Sequence, residues 1–214
     1  MHDIKERPSL LGLFFLYKSY LMNYKFKIIL DKILNELIPL TDIGVSKGNK
    51  IFGALILKKN DYSTVVVDTN NETANPLFHG EISTINSFFK HKETINPKDC
   101  LFISSHEPCS LCLSAITWSG FDNFFYLYPY EDTENVFNIP HDLKILEEVF
   151  YIKNGNYNKQ NNYWKSYEIL KEITKLDNQE YQLLKAIITK IKAKYDRLSS
   201  IYQKNKNNNR IPLN

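Results

Sequence analysis

His79-Gly80-Glu81, followed further along by Pro108-Cys109-Ser110-Leu111-Cys112, is the stretch on which this 214-residue sequence turns. Cys109 and Cys112 stand three residues apart, so on the first turn of a helix both sulfurs face one point. A helix N-terminus favours the ionised thiol that metal binding needs. Pro108 fits just ahead of such a helix, where its missing N–H is of no consequence. Zinc takes thiolate sulfur and imidazole nitrogen, and a reactive zinc site offers three protein ligands plus one open position. His79 is the third ligand in this reading.

Glu81 sits two residues after His79, too close in sequence to be an easy fourth ligand. The spacing aims its carboxylate into the space beside the metal, where it can take a proton from activated water and return it to a leaving group. Zinc lowers the pKa of bound water from about 15.7 toward about 7. The backbone N–H at Cys109, together with Glu81, suits a developing tetrahedral centre. These parts add up to hydrolysis by zinc-activated water. The alternative is a structural zinc knuckle closed by Cys100 or His106, since structural sites carry four protein ligands. No second C-x-x-C and no H-x-x-x-H supports it, and a redox C-x-x-C has no use for the upstream H-x-E.

The composition is that of an ordinary globular chain: 43% hydrophobic and 24% charged, with 14 Tyr, 13 Phe and only 7 Gly. No apolar run approaches the roughly 20 residues that span a bilayer, so no membrane partner is expected. Three cysteines, two of them assigned to the metal, leave no disulfide framework, which fits a reducing, cytoplasmic compartment. Residues 181–214 hold eight Lys or Arg against Asp196 alone, a net +7 in a chain whose total is +3. Such a tail can be an electrostatic footprint for nucleic acid. The plainer reading is a solvated helix face followed by a disordered Lys/Asn tail.

Residues 1–21 read as an N-terminal extension, with Leu10 to Tyr17 a short packed helix, and Met22 could also begin translation. From Tyr24 to Leu40 apolar residues recur at helical spacing, and Pro39 closes the helix. Ile51–Leu57 and Ser63–Val67 are strands joined by a hairpin at Lys58-Lys59-Asn60-Asp61. A helix follows His79, Leu101–Ser104 is a strand, and a helix from Cys109 stops near Gly120. Asn123–Tyr128 is a further strand, and Pro140-His141-Asp142 opens another helix. Strands alternating with helices after an opening hairpin predict an α/β fold, a three-layer α/β/α sandwich over a mixed sheet, across residues 22–153. The two halves of the signature fall at helix N-termini beside strand ends, where such sheets carry their sites. Residues 154–214 form a helical C-terminal extension: Trp164–Leu176 reads as helix, then Asn178–Tyr202 carries a narrow stripe of Leu184, Ile188, Ile191, Tyr195, Leu198 and Tyr202. That stripe packs on its own domain or on a partner helix.

H-x-E followed by P-C-x-x-C is a general signature of zinc-dependent nucleobase deaminases. Residues from about Tyr24 to Tyr151 resemble the cytidine and deoxycytidylate deaminase superfamily, in the branch of guanine, cytosine and tRNA adenosine deaminases. Phe52-Gly53-Ala54-Leu55-Ile56-Leu57 and the run from Glu107 to Trp118 resemble guanine deaminases. His79-Gly80-Glu81-Ile82-Ser83-Thr84 resembles fungal cytosine deaminases. The resemblance implies a cytidine deaminase-like fold, Zn2+ held by His79, Cys109 and Cys112, and Glu81 as catalytic proton shuttle. It implies that an asparagine ending the second strand binds the base; Asn70 and Asn71 match, at a shorter interval from His79 than is usual. Phe52 would line the pocket and Trp118 would pack. The implied substrate is a small nucleobase, nucleoside or nucleotide, guanine-type first and cytosine or deoxycytidylate next. Relatives commonly form dimers, for which Phe124-Phe125-Tyr126 could supply a surface. Two alternatives stand beside this: a tRNA adenosine deaminase-like editor that binds RNA, and a non-catalytic zinc-stabilised interaction module built on the 178–202 helix.

Overall fold

The computed structural model describes residues 24–214. The packed helix expected at Leu10–Tyr17 therefore lies outside the described residues. Among the described residues five strands form one sheet in the order β2-β1-β3-β4-β5: β1 is Gly53–Lys58, β2 Thr64–Thr69, β3 Cys100–His106, β4 Asn123–Tyr128 and β5 Lys165–Glu168. β1 runs antiparallel to both β2 and β3, whereas β3, β4 and β5 are mutually parallel along the sheet. The sheet is mixed, as the strand–helix order predicts.

Alternation along the strands builds the two helical layers, because successive side chains point to opposite faces. Leu55, Leu57, Leu101, Ile103, Phe125 and Leu127 share one apolar cluster with the first and last long helices. Ala54, Ile56, Phe102, Phe124 and Tyr126 share the other with Phe88 and Ile116. Those two residues belong to α2 (Gly80–Phe89) and α3 (Ser110–Trp118). The result is the expected three-layer α/β/α sandwich.

The opening helix, α1, runs from residue 24 to residue 46 without stopping at Pro39. A single π turn, Ile33–Leu37, explains how: Ile38 donates to Ile33 O, five residues back. The widened turn brings Pro39 in at the start of a fresh α-helical segment, Ile38–Ser46, where a proline ring is tolerated.

The C-terminal region corrects the sequence reading more deeply. Residues 165–168, expected to be helical, pair in parallel with β4 and so complete the sheet. The short helices α4 (Tyr130–Asn135), α5 (His141–Phe150) and α6 (Ile169–Ile173) lead to α7, Asn178–Asn205. Leu184, Ile191, Tyr195, Leu198 and Tyr202 of α7 are buried in the cluster shared with α1, and Arg197 pairs with Asp42. The stripe thus packs on its own domain, and the helical extension of residues 154–214 adds β5 to the sheet and α7 to one helical layer. The tail beyond α7, expected to be disordered, is tied down by asparagine amides. Asn209 Nδ2 donates to Gly48 O at 2.7 Å and Asn214 Nδ2 to Lys206 O at 2.7 Å, while Asn214 Oδ1 accepts from Tyr202 OH at 3.0 Å.

Two surface expectations also change. Phe124, Phe125 and Tyr126 are buried between β3 and β5, so they offer no docking surface. Trp118, expected to pack, is 91% exposed at the end of α3. No helix among the described residues is long and apolar enough to cross a membrane.

One close approach sets the height of α2 above the sheet. A Cβ at Gly80 would meet Gly53 Cα at 2.5 Å and Gly53 N at 2.8 Å. Both partners are rigid backbone, so Gly80→Ala must push the first turn of α2 off β1. We expect a loss of about 1–3 kcal/mol in urea unfolding, the usual range for overpacking, with weakened zinc uptake because His79 and Glu81 flank the displaced residue.

Candidate active site

His79 is the N-cap of α2 and Cys109 the N-cap of α3. β3 delivers the chain to Cys109 at its C-terminal end, and β1 begins alongside, with Gly53 N donating to Ser105 Oγ at 3.0 Å. Two helix N-termini therefore converge on one point where interior strand β3 ends and β1 begins, with Cys112 a turn further along α3.

The donor atoms meet there. His79 Nδ1 lies 3.4 Å from Cys109 Sγ and 3.7 Å from Cys112 Sγ, and the sulfurs are 3.6 Å apart. A tetrahedral zinc with Zn–S near 2.3 Å and Zn–N near 2.0–2.1 Å would space its sulfurs about 3.8 Å apart and its nitrogen about 3.6 Å from each. The triangle matches that template before any adjustment. Among the described residues no fourth His, Cys, Asp or Glu joins this group. The two residues that a closed structural knuckle needs are elsewhere. Cys100 is the first residue of β3, six residues and roughly 20 Å of strand from its other end. His106 turns into the aromatic core instead.

Glu81, in the first turn of α2, is buried. Its Oε1 accepts from Ser104 Oγ at 2.6 Å, and its Oε2 lies 3.3 Å from Cys112 Sγ. The carboxyl group thus stands beside the donor triangle without belonging to it. Burial, reinforced by the negative sulfur of Cys109, raises its pKa above the ordinary carboxylate range, while Ser104 opposes the shift. The hydrogen bond shared with Cys112, followed by the His79 ring, holds the Cys109 thiol well below its usual value. Burial pushes Cys112 the other way. For His79, burial acts to depress the imidazole, but Cys109, Glu72 and Glu81 outweigh it and raise its pKa to about 9.

The turn that presents Cys109 is held by Glu107. Its carboxylate accepts from Tyr130 N at 3.1 Å and Tyr157 OH at 2.8 Å, and pairs with Lys159 at 2.9 Å. Tyr130 OH in turn donates to Pro108 O. Residues 157–159, beyond the region that resembles the family, thereby brace the ligand loop.

A cavity of about 310 Å³ opens over the triangle, with His79 and Cys109 in its wall. Phe52 lines it. Asn70 and Asn71 do not. Asn70 is buried with its amide spent on Glu72 Oε2 (2.6 Å) and Gly80 N, and Asn71 is exposed, its N–H bound to Phe78 O. The cavity instead presents Lys50, Glu72 and Asp142 as its charged groups, and Ile211, Pro212 and Leu213 as part of its apolar wall. Burial, with the charge on Cys109 adding to it, lifts the Asp142 carboxyl well above its ordinary range. Asp142 had a sequence signal, an acid in the first turn of a helix opened by Pro140. Lys50 and Glu72 had none, because 22 residues separate them.

His106 shows why a histidine near a metal motif need not be a ligand. Its ring packs against Phe52, Tyr128, Phe137 and Tyr195, with centroids 4.7–5.4 Å away. Burial alone lowers its pKa to about 3 from 6.5. The unfolded chain therefore binds a proton below pH 6.5 that the folded chain refuses. The stability due to the neutral ring is complete above pH 6.5 and is lost as pH falls toward 3, at about 1.4 kcal/mol per pH unit. Urea unfolding of zinc-free protein should show about 2 kcal/mol lost from this group between pH 6.5 and 5, and His106→Phe should remove that component.

Residues 31–128 match the family model for the cytidine and deoxycytidylate deaminase zinc-binding region. That segment belongs to the cytidine and deoxycytidylate deaminase family. Guanine deaminase of Bacillus subtilis (strain 168) is 31% identical to this chain over 105 residues, covering 48% of this chain and 66% of the relative's length. The X-ray structure of guanine deaminase from Bacillus subtilis aligns with 62% of this chain and 98% of its own, at 24% identity and a TM-score of 0.42. A guanine deaminase structure from Nitrosomonas europaea aligns with 72% of this chain and 81% of its own, at 15% identity and a TM-score of 0.44.

Proposed function

We propose that this chain is a zinc-dependent hydrolytic deaminase that releases ammonia from an amino-substituted nucleobase, with a free guanine-type base as first substrate. The observation that carries the reading is the triangle of His79, Cys109 and Cys112 with the unligated, buried carboxyl of Glu81 beside it. A structural zinc has no need of that carboxyl.

His79, Cys109 and Cys112 would hold the ion, and what zinc supplies when bound is Lewis-acid activation of water. Glu81 is placed to take the proton that the attacking water gives up and to hand it to the departing amine. The burial that raises its pKa makes the proton easier for it to take up. Ser104 keeps the carboxyl from swinging out of reach. Phe52 offers a ring face to the base, and Asp142 offers a carboxyl to ring N–H groups. Asn70 serves this function through Gly80 and Glu72, which its amide holds together.

The choice of base rests on the 31%-identical relative, a guanine deaminase. The choice of a free base over one held in RNA rests on the cavity. At about 310 Å³ it lies at the small end of ligand pockets, roughly 300–1,000 Å³. The chain's own Ile211-Pro212-Leu213 forms one wall. Ammonia release should be measured across a panel of amino-bearing bases, nucleosides, nucleotides and tRNA. Turnover of a free base that stops on zinc chelation and returns with added zinc is the expected result. Silence across the panel with zinc bound would sink the reading.

A further inference from the structure

Beside the metal triangle lies a buried ion pair that neither half of the signature contains. Lys50 Nζ is 2.8 Å from Glu72 Oε1, with only 7% and 1% of the two side chains exposed. The same oxygen faces His79 Nε2 at 3.8 Å. The other oxygen accepts from Asn70 Nδ2 at 2.6 Å, and the Asn70 carbonyl accepts from the N–H of Gly80, the residue after His79. Glu72 is thus gripped at both ends, with one oxygen toward the back of the His79 ring.

A buried ion pair is weak evidence for stability, since desolvation offsets most of the attraction. What this pair does have is position. The His79 ring has two nitrogens, and only Nδ1 faces the sulfurs. A carboxylate facing the distal nitrogen at 3.8 Å acts on the ring through its charge: it favours the tautomer that carries its proton on that side, which leaves the near nitrogen free to bind metal. We propose that Glu72 is a positioning residue that holds His79 with Nε2–H outward and Nδ1 toward the ion, and that Lys50 is the counter-charge that keeps Glu72 in place. Lys50 precedes β1 and Glu72 follows β2, so the pair also clamps the loop carrying His79 to the start of the sheet. The inference rests on the zinc part of the proposed function and is independent of which base is the substrate.

Zinc affinity of the full chain, measured by competition with a chromophoric chelator, tests it without reference to turnover. Glu72→Gln should weaken zinc about 10–100-fold, the effect typical of losing such a partner. The d–d absorption bands of the cobalt-substituted protein should shift as well. A change that merely loosened the fold would lower the melting temperature and leave the affinity of the folded protein and its cobalt spectrum alone. Should Glu72→Gln fail to fold with Lys50 uncompensated, the double variant Lys50→Met/Glu72→Gln leaves no buried charge and should show the same loss. Native affinity in either folded variant overturns the inference and leaves the deaminase reading standing. Failure of the unsubstituted chain to bind zinc overturns both.

Discussion

Glu81→Gln is expected to lower kcat by about 10²–10⁴, the range contributed by one positioned acid–base group, or about 3–5 kcal/mol of barrier. Zinc content and melting temperature should stay within error of the unsubstituted chain. Glutamine has the same shape and keeps an oxygen to accept from Ser104, whose hydroxyl lies 2.6 Å from Glu81 Oε1. It cannot take up and release a proton. The metal donors lie on His79, Cys109 and Cys112, so the ion should remain. Steady-state ammonia release, zinc analysis and a thermal melt on the same preparation check all three parts. Retained turnover would remove Glu81 from the chemistry. A collapse of stability would mean that its burial at the start of α2 is what the residue is for.

That test turns on residues legible from the sequence, and their legibility has a physical basis. Cys109, Cys112, His79 and Glu81 lie at fixed short spacings on two helix starts, so local geometry alone orients them. The fold was legible for a related reason: strand periodicity in Ala54–Leu57 and Phe124–Leu127 reports which side chains face which layer, and the observed clusters split along that alternation. β5 was hidden because Lys165-Ser166-Tyr167-Glu168 is short and charged, the composition that protects an exposed sheet edge. The continuation of α1 was hidden because a π turn leaves no mark in hydrophobic spacing, so Pro39 looked like a stop. The tail was hidden because its order comes from Asn209 and Asn214, residues that composition counts toward disorder. The pocket wall was hidden for the most general reason. Lys50, Glu72, Asp142 and Ile211 are brought together by tertiary packing, and nothing in their spacing foretells it.

Cys109→Ala should take zinc content from about one ion per chain to below about a tenth, with loss of all measurable turnover, because two remaining donors cannot hold zinc against dialysis. The fold should survive. The two apolar clusters are built from residues outside the triangle, unlike a zinc finger, whose core forms only with the metal. The stability lost is then the linkage term alone, about 3 kcal/mol where free zinc stands at a hundred times its dissociation constant. For a domain of this size that is about 5–10 °C in melting temperature. Chelating zinc from the unsubstituted chain should produce the same shift, and adding chelator to Cys109→Ala should produce none. Cys100→Ser is the matched control: its sulfur lies at the start of β3 within 3.7 Å of Asn96 O, at the far end of the strand from the ligand turn, and zinc should stay stoichiometric. Zinc that persists in Cys109→Ala but leaves with Cys100→Ser would place the metal in a different part of the molecule. The paired sulfurs of α3 and the carboxyl group beside them would then have no ion to act on.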